Sequence, residues 1–234
     1  MLNTAHANNT LSVAQFLNGN SSGKIMLGHS FTTTSEKVLD AHEHLFVAGD
    51  SQSQVYQVLE GVISIYELLP DGRRQIATFC YPGDLIGADI VQQFAHHAES
   101  LCAARVRCIP THLMDKMISD EPGFSQALLK VLSTELAETR DQLLSLGRKS
   151  AKEKVATFLL RISRRNQREG MNELKLHLPM TRSEIADFLG LTIETVSRNI
   201  TKLKVANAIC LKSGGMVEIL DMELLESFAD GGNH

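Results

Sequence analysis

LPMTRSEIADFLGLTIETVSRNITKL, residues 178–203, reads as two short helices broken by a glycine turn. Ile185, Phe188 and Leu189 form one apolar stripe, and Val196, Ile200 and Leu203 recur at i, i+4 and i+7, so each helix buries one side only. Thr181 with Glu184 three residues on has the spacing of a capping box, and Gly190 supplies the positive φ of a tight reversal. Thr192 caps the second helix. Helices joined by so short a turn cross steeply, which frees the N-terminal half of the second to enter a DNA major groove.

Glu194, Ser197, Arg198 and Thr201 share the face opposite the buried stripe. A guanidinium fork matches O6 and N7 of guanine and a carboxylate accepts from the cytosine amino group. Ser197 with Ile193 suits the carbonyl and methyl of thymine. Ile193, Glu194, Ser197 and Arg198 are therefore the candidate base readers. Glu194 and Arg198 also have the spacing of a surface ion pair, which would let the carboxylate orient the fork. Thr181, Arg182, Thr201, Lys202, Lys204 and Lys212 are the candidate phosphate contacts.

LTIETVSR preceded by TRSEIADFLG resembles the DNA-binding motif of the Crp/Fnr family of bacterial transcription regulators. The resemblance implies that Glu194, Ser197 and Arg198 read a TTGAT-type half-site. The catabolite-activator branch has Arg immediately before the Glu; Ile193 stands there instead, which is the pattern of the Fnr and FixK branch.

The formal charge of −4 is unevenly spread. Residues 1–147 carry −7, residues 148–212 carry +8, and residues 213–234 carry −5. An attractive field for phosphate is thus confined to the segment that holds the helix-turn-helix. With 234 residues, 43% hydrophobic and 21% charged, the chain suffices for two modest domains. No apolar run approaches a membrane span, and the first twenty residues lack a basic start with an apolar core. A cytoplasmic protein is expected.

Upstream, VYQVLEG, VISIYELL and RQIATF are β-prone runs punctuated by Pro70-Asp71-Gly72 and Pro82-Gly83-Asp84, and residues 101–109 alternate as a further strand. The spacing indicates a small jelly roll. Residues 48–87, with Gly49, Asp50, Gly61, Gly72, Gly83 and Gly87, resemble the family's cyclic-nucleotide-binding β-roll. Where nucleotide-binding members carry Arg-Ser, this chain has Glu99-Ser100, and Asp84 replaces a longer Glu. A carboxylate facing a buried phosphate adds repulsion to desolvation, so the pocket is expected to be vestigial. Arg105 and Arg107, on one face of their strand, are expected to be exposed.

The four cysteines, Cys80, Cys102, Cys108 and Cys210, lack C-x-x-C spacing and the N-terminal cluster that Fnr members use for an iron-sulfur centre. They read as reduced thiols, and Cys210, near the basic surface, is the one with a case for redox modulation. His42 and His44 alternate in one predicted strand and His96-His97 are adjacent, but no matching Cys or carboxylate pattern accompanies them. No metal site or cofactor is expected. Nor does any G-x-S-x-G, H-E-x-x-H or phosphate-loop pattern indicate an enzyme.

Leu129, Leu132, Leu136, Thr139, Leu143 and Leu146 fall at alternating three- and four-residue steps, the seam of a parallel coiled-coil dimer, with polar Thr139 loosening it. Leu128 and Val131 are expected to pack on the β-roll. Ser145, Gly147 and Ser150 mark a hinge before the basic amphipathic helix RKSAKEKVATFLLRISRR. AICLK and MVEIL, joined by Ser213-Gly214-Gly215, form a wing, and Asp221 caps a final helix.

The expected architecture is α+β. It comprises a flexible N-terminal segment 1–23, a β-roll (jelly roll) at 24–118, a dimerisation helix at 119–147 and a winged helix-turn-helix domain at 148–234. The expected function is a homodimeric, FixK-like regulator of palindromic promoter DNA, activating through RNA polymerase. By resemblance its targets are genes of low-oxygen respiration or nitrogen fixation. An effector-gated sensor binding haem, metal or nucleotide is the alternative, and a DNA-modifying enzyme is a further rival.

Overall fold

The computed structural model describes residues 24–27, 30–88 and 92–232, so the expected flexible segment 1–23 lies outside the described residues. The chain divides into two compact units, residues 1–65 with 79–138, and residues 66–78 with 139–234.

Strands β1 (Lys24–Leu27) and β2 (Ser30–Thr33) pair antiparallel. They are followed by β3 (Ser35–Leu39), β4 (His44–Phe46), β5 (Gln54–Glu60), β6 (Ile63–Leu68), β7 (Arg74–Cys80), β8 (Leu85–Ile86), β9 (His97–Ser100) and β10 (Ala104–Pro110). These eight form two four-stranded sheets in the orders β3-β10-β5-β8 and β4-β9-β6-β7. Leu39, Phe46, Val58, Ile63, Ile86, Ala98 and Val106, drawn from strands of both sheets, make one apolar core, as a jelly roll requires. The other face of β5 and β10 presents Val55 and Ile109 to Leu113, Met114 and Met117 of α1 (Thr111–Asp120) and to Phe124, Ala127 and Leu128 of α2 (Pro122–Arg148). Val131 packs there too, as its spacing predicts.

One expectation is corrected. Arg107 is buried and donates to Gln57 Oε1 at 2.8 Å. Strand alternation shows which residues share a face, but not whether each of them is covered. Arg105 is more open and pairs with Glu36 at 2.7 Å and with Glu60. The strand expected from residue 101 begins at Ala104, after a bend at 101–103. His42 and His44 do not share a strand, because His42 sits in a turn with φ 65° and only His44 enters β4.

In the second unit, α3 (Ala151–Arg168) starts at Ser150, which forms a full capping box with Glu153. The break between α2 and α3 falls at residues 149–150, whereas Ser145 and Gly147 lie inside α2. Ser145 is buried, which removes it from the expected hinge. The helices α4 (Arg182–Leu189) and α5 (Ile193–Val205) follow, then β12 (Ile209–Leu211), β13 (Met216–Ile219) and α6 (Met222–Ala229), which Asp221 caps through Leu224 N at 2.9 Å. A strand not anticipated from the sequence, β11 (Lys175–His177), makes the wing three-stranded in the order β11-β13-β12. Its only signal is the alternation of Leu174, Leu176 and Leu178 over a very short run. Val155, Leu159, Leu176, Ile185, Leu189, Val196, Leu203 and Leu225 are buried to within a few per cent and form this unit's apolar interior.

Candidate nucleic-acid interface

The local sequence accounts for the position of each reading residue. Thr181 Oγ1 accepts from Glu184 N at 3.2 Å and donates to Glu184 Oε2 at 2.9 Å, and Thr181 N donates to the same carboxylate at 2.6 Å. Gly190 closes α4 in the left-handed region at φ 61°, where a side chain is strained. Thr192 then caps α5 by accepting from Thr195 N at 3.3 Å. Val196, Ile200 and Leu203 anchor α5 on its buried side, so its opposite face is held outward.

Flanking that face, Ile193 is 47% exposed. Glu194, Arg198 and Thr201 are exposed and Ser197 is half-buried, so the four candidates by spacing emerge on one side. Glu194 and Arg198 form no salt bridge among the described residues. Instead Arg198 Nη2 donates to Thr195 Oγ1 at 3.3 Å, so the expectation that Glu194 orients the fork is replaced by a contact to Thr195. Bonding to backbone N–H at the start of α5, and then to the Thr192 hydroxyl, holds the Glu194 carboxyl below its ordinary range. The signal for Thr195 is its spacing, three residues from both Thr192 and Arg198.

The candidate phosphate contacts separate by how free their donors are. Lys202 and Lys204 are exposed in the last turn of α5. The Thr201 hydroxyl donates to Ser197 O at 2.9 Å, and Lys212 is paired with Glu218 at 3.3 Å on the wing. Thr181 is a cap whose N–H and O–H both serve Glu184. Arg182 is half-buried, and desolvation lowers its pKa. Cys210, on β12, is partly exposed, with Sγ 3.8 Å from Leu211 O.

In the β-roll, the buried Glu99 carboxylate faces His42 Nδ1 at 3.2 Å and His44 Nε2 at 4.0 Å. Ser100 Oγ lies within bonding distance of Asp40 O at 2.5 Å and Glu43 O at 3.1 Å, tying down the preceding turn. The Asp84 carboxylate accepts from Tyr81 N at 2.8 Å. Among the described residues no group of three or more His, Cys, Asp or Glu side chains is arranged to hold a metal ion. No helix among them is long and apolar enough to cross a membrane.

A helix-turn-helix followed by a β-wing, its second helix presenting Glu, Ser and Arg outward, defines a winged-helix DNA-binding protein. Residues 153–228 match the family model of the Crp-like helix-turn-helix domain, and residues 36–121 match that of the cyclic nucleotide-binding domain. The nitrogen fixation regulation protein FixK of Bradyrhizobium diazoefficiens is 40% identical over 192 residues, which are 80% of this chain and 78% of that protein. The transcriptional activatory protein AadR of Rhodopseudomonas palustris is 39% identical over 188 residues, 80% of this chain and 78% of the relative. The structure of FixK2 from Bradyrhizobium japonicum superposes with a TM-score of 0.77 at 31% identity, covering 84% of this chain and 98% of that one. The chain belongs to the Crp/Fnr family of transcription regulators. It is accordingly a DNA-binding regulator and not an enzyme.

Proposed function

We propose that two copies of this chain read a TTGAT-type palindrome, each inserting the N-terminal half of α5 into a major groove. The observation that carries this reading is the shared outward face of Glu194, Ser197 and Arg198, flanked by the exposed Ile193. Arg198 faces guanine, Glu194 the cytosine amino group, and Ser197 with Ile193 the thymine edge. Lys202, Lys204, Lys212, Arg182 and Thr201 supply phosphate contacts. Thr181 remains a candidate there only after its capping bonds rearrange.

Two-fold pairing is supported by α2, where Leu129, Leu132, Leu136 and Leu143 are all exposed in the single chain. A parallel seam would cover them and set two reading helices about one turn of DNA apart. Leu146 is part of the same spacing but is half-buried.

The ligand-free protein is the DNA-binding form. Supporting this, Glu99, Ser100 and Asp84 are engaged in contacts within the roll, and a carboxylate stands where a cyclic phosphate would need a cation. The relatives named for nitrogen fixation and for transcriptional activation favour an activator of nitrogen-fixation or low-oxygen respiration genes, acting in the cytoplasm. Contact with RNA polymerase falls to exposed turns such as that at Asp71, which pairs with Arg73 at 2.7 Å.

Equilibrium binding of ligand-free protein to a TTGAT...ATCAA duplex and a scrambled duplex, across salt concentrations and with Arg198→Ala alongside, tests this. Palindrome-selective binding that the variant loses is expected. Weak, unselective binding by the intact protein would refute effector-independent readout.

A further inference from the structure

Three polar side chains at the start of α5 form one continuous row. Arg198 Nη2 lies 3.3 Å from Thr195 Oγ1, and Thr195 Oγ1 lies 3.0 Å from Thr192 Oγ1. A guanidinium only donates, so Thr195 Oγ1 accepts from Arg198. Thr192 Oγ1 also accepts from Thr195 N at 3.3 Å, the helix cap itself, so Thr195 is tied to the cap through both its hydroxyl and its backbone.

We propose that Thr195 is a positioning residue for base readout, its hydroxyl held on the Thr192 cap so that the Arg198 guanidinium is kept in place before DNA arrives. This rests on the assignment of Glu194 and Arg198 as base readers. Physically, an acceptor that is itself anchored on the helix cap limits where the guanidinium rests in the free protein. A direct Glu194–Arg198 ion pair would instead turn the fork onto the carboxylate and away from guanine. Fixing a long side chain in advance spares its ordering cost on binding, corresponding to roughly three- to tenfold in affinity for the matched base pair. The effect falls on discrimination, because a phosphate does not require the fork to be aimed.

The experiment uses the full chain with Thr195→Val, Thr195→Ser, Thr195→Ala and Arg198→Ala. Fluorescence anisotropy measures binding to the TTGAT...ATCAA duplex, to the same duplex with its half-site G·C pairs changed to A·T, and to a scrambled duplex. Val is close to isosteric with Thr, and Ala at this helical position is the second hydroxyl-free variant. Both are expected to lose roughly three- to tenfold of the discrimination between the first two duplexes while scrambled binding changes less than about twofold. Thr195→Ser is expected to keep it. Equal loss on all three duplexes would make Thr195 a phosphate contact and overturn the proposal, as would unchanged discrimination in both hydroxyl-free variants. If discrimination survives Arg198→Ala, base readout by Arg198 is itself wrong and positioning by Thr195 falls with it. If it is lost in Arg198→Ala yet kept in Thr195→Val, only the positioning role falls.

Discussion

The leucines along α2 differ in how much surface each has left to give a partner: Leu143 is 71% exposed, Leu129 67%, Leu136 51% and Leu132 38%. Truncating leucine to alanine removes about three methyl or methylene groups, about 2.4 kcal/mol when all of them are buried. Scaled by exposure, Leu143→Ala removes about 1.7 kcal/mol per chain, and about 3.4 kcal/mol per dimer because a two-fold interface counts each residue twice. That corresponds to a rise of about 300-fold in the dimer dissociation constant. Leu132→Ala, scaled in the same way, removes about 1.8 kcal/mol per dimer, about 20-fold. Sedimentation equilibrium of the wild type and the four alanine variants, from nanomolar to micromolar chain, reads these constants directly. Urea unfolding of the monomer should stay within about 0.5 kcal/mol, since exposed side chains contribute little to the single chain. A larger effect from Leu132→Ala than from Leu143→Ala would refute the assignment of the seam, and a wild type that stays monomeric at about 100 µM would refute the dimer.

Three further outcomes follow from the reading unit. Thr181→Ala removes a cap and leaves the buried Glu184 carboxylate one donor short; chemical denaturation should show a loss of about 1–3 kcal/mol, and no loss would mean that the cap is idle. Gly215→Ala places a Cβ 2.5 Å from Leu178 O at φ 72°, so hydrogen exchange at β12 and β13 should quicken with a cost of at least about 1 kcal/mol; unchanged protection would contradict the close approach. The Glu194 carboxyl, depressed by backbone N–H and Thr192, should titrate below the ordinary 4.5 in a carbon-detected NMR titration. A depressed acid stabilises the fold fully above its unfolded pKa and loses that contribution as pH falls through the folded value, so the effect is confined to pH below about 4.5. Thr192→Val should return the midpoint towards 4.5, and an unmoved midpoint would deny the bond.

What could be read from the sequence was local. The capping box of Thr181 and Glu184, the left-handed Gly190, the Thr192 cap and the Asp221 cap each depend on residues within four positions of one another, and their chemistry is the same in any fold that contains them. The outward position of Leu129, Leu132, Leu136 and Leu143 and the packing of Leu128 and Val131 were legible because helical periodicity separates the two faces. Arg107 was misread because alternation groups it with Arg105 but does not reveal its burial or its bond to Gln57 on the neighbouring strand. The hinge was placed too early because Gly147 and Ser145 weaken a helix only on average, while packing keeps Ser145 inside it. Thr195 escaped notice because a threonine between Glu194 and Val196 is unremarkable until the Arg198 rotamer is known.

Leu146 reaches Gly190 rather than open solvent: a Cβ built on that glycine would stand 3.7 Å from Leu146 Cδ2, and Gln142 Nε2 donates to Phe188 O at 3.3 Å. The last two turns of α2 are thus a handle fused to the reading head. In a two-fold dimer paired along α2, equivalent residues stand at the same level, so the spacing of the two heads would depend on how each is fixed to the end of its own helix. A change at Leu146 or Gln142 would then be felt in the gap between half-sites rather than in the bases read within them.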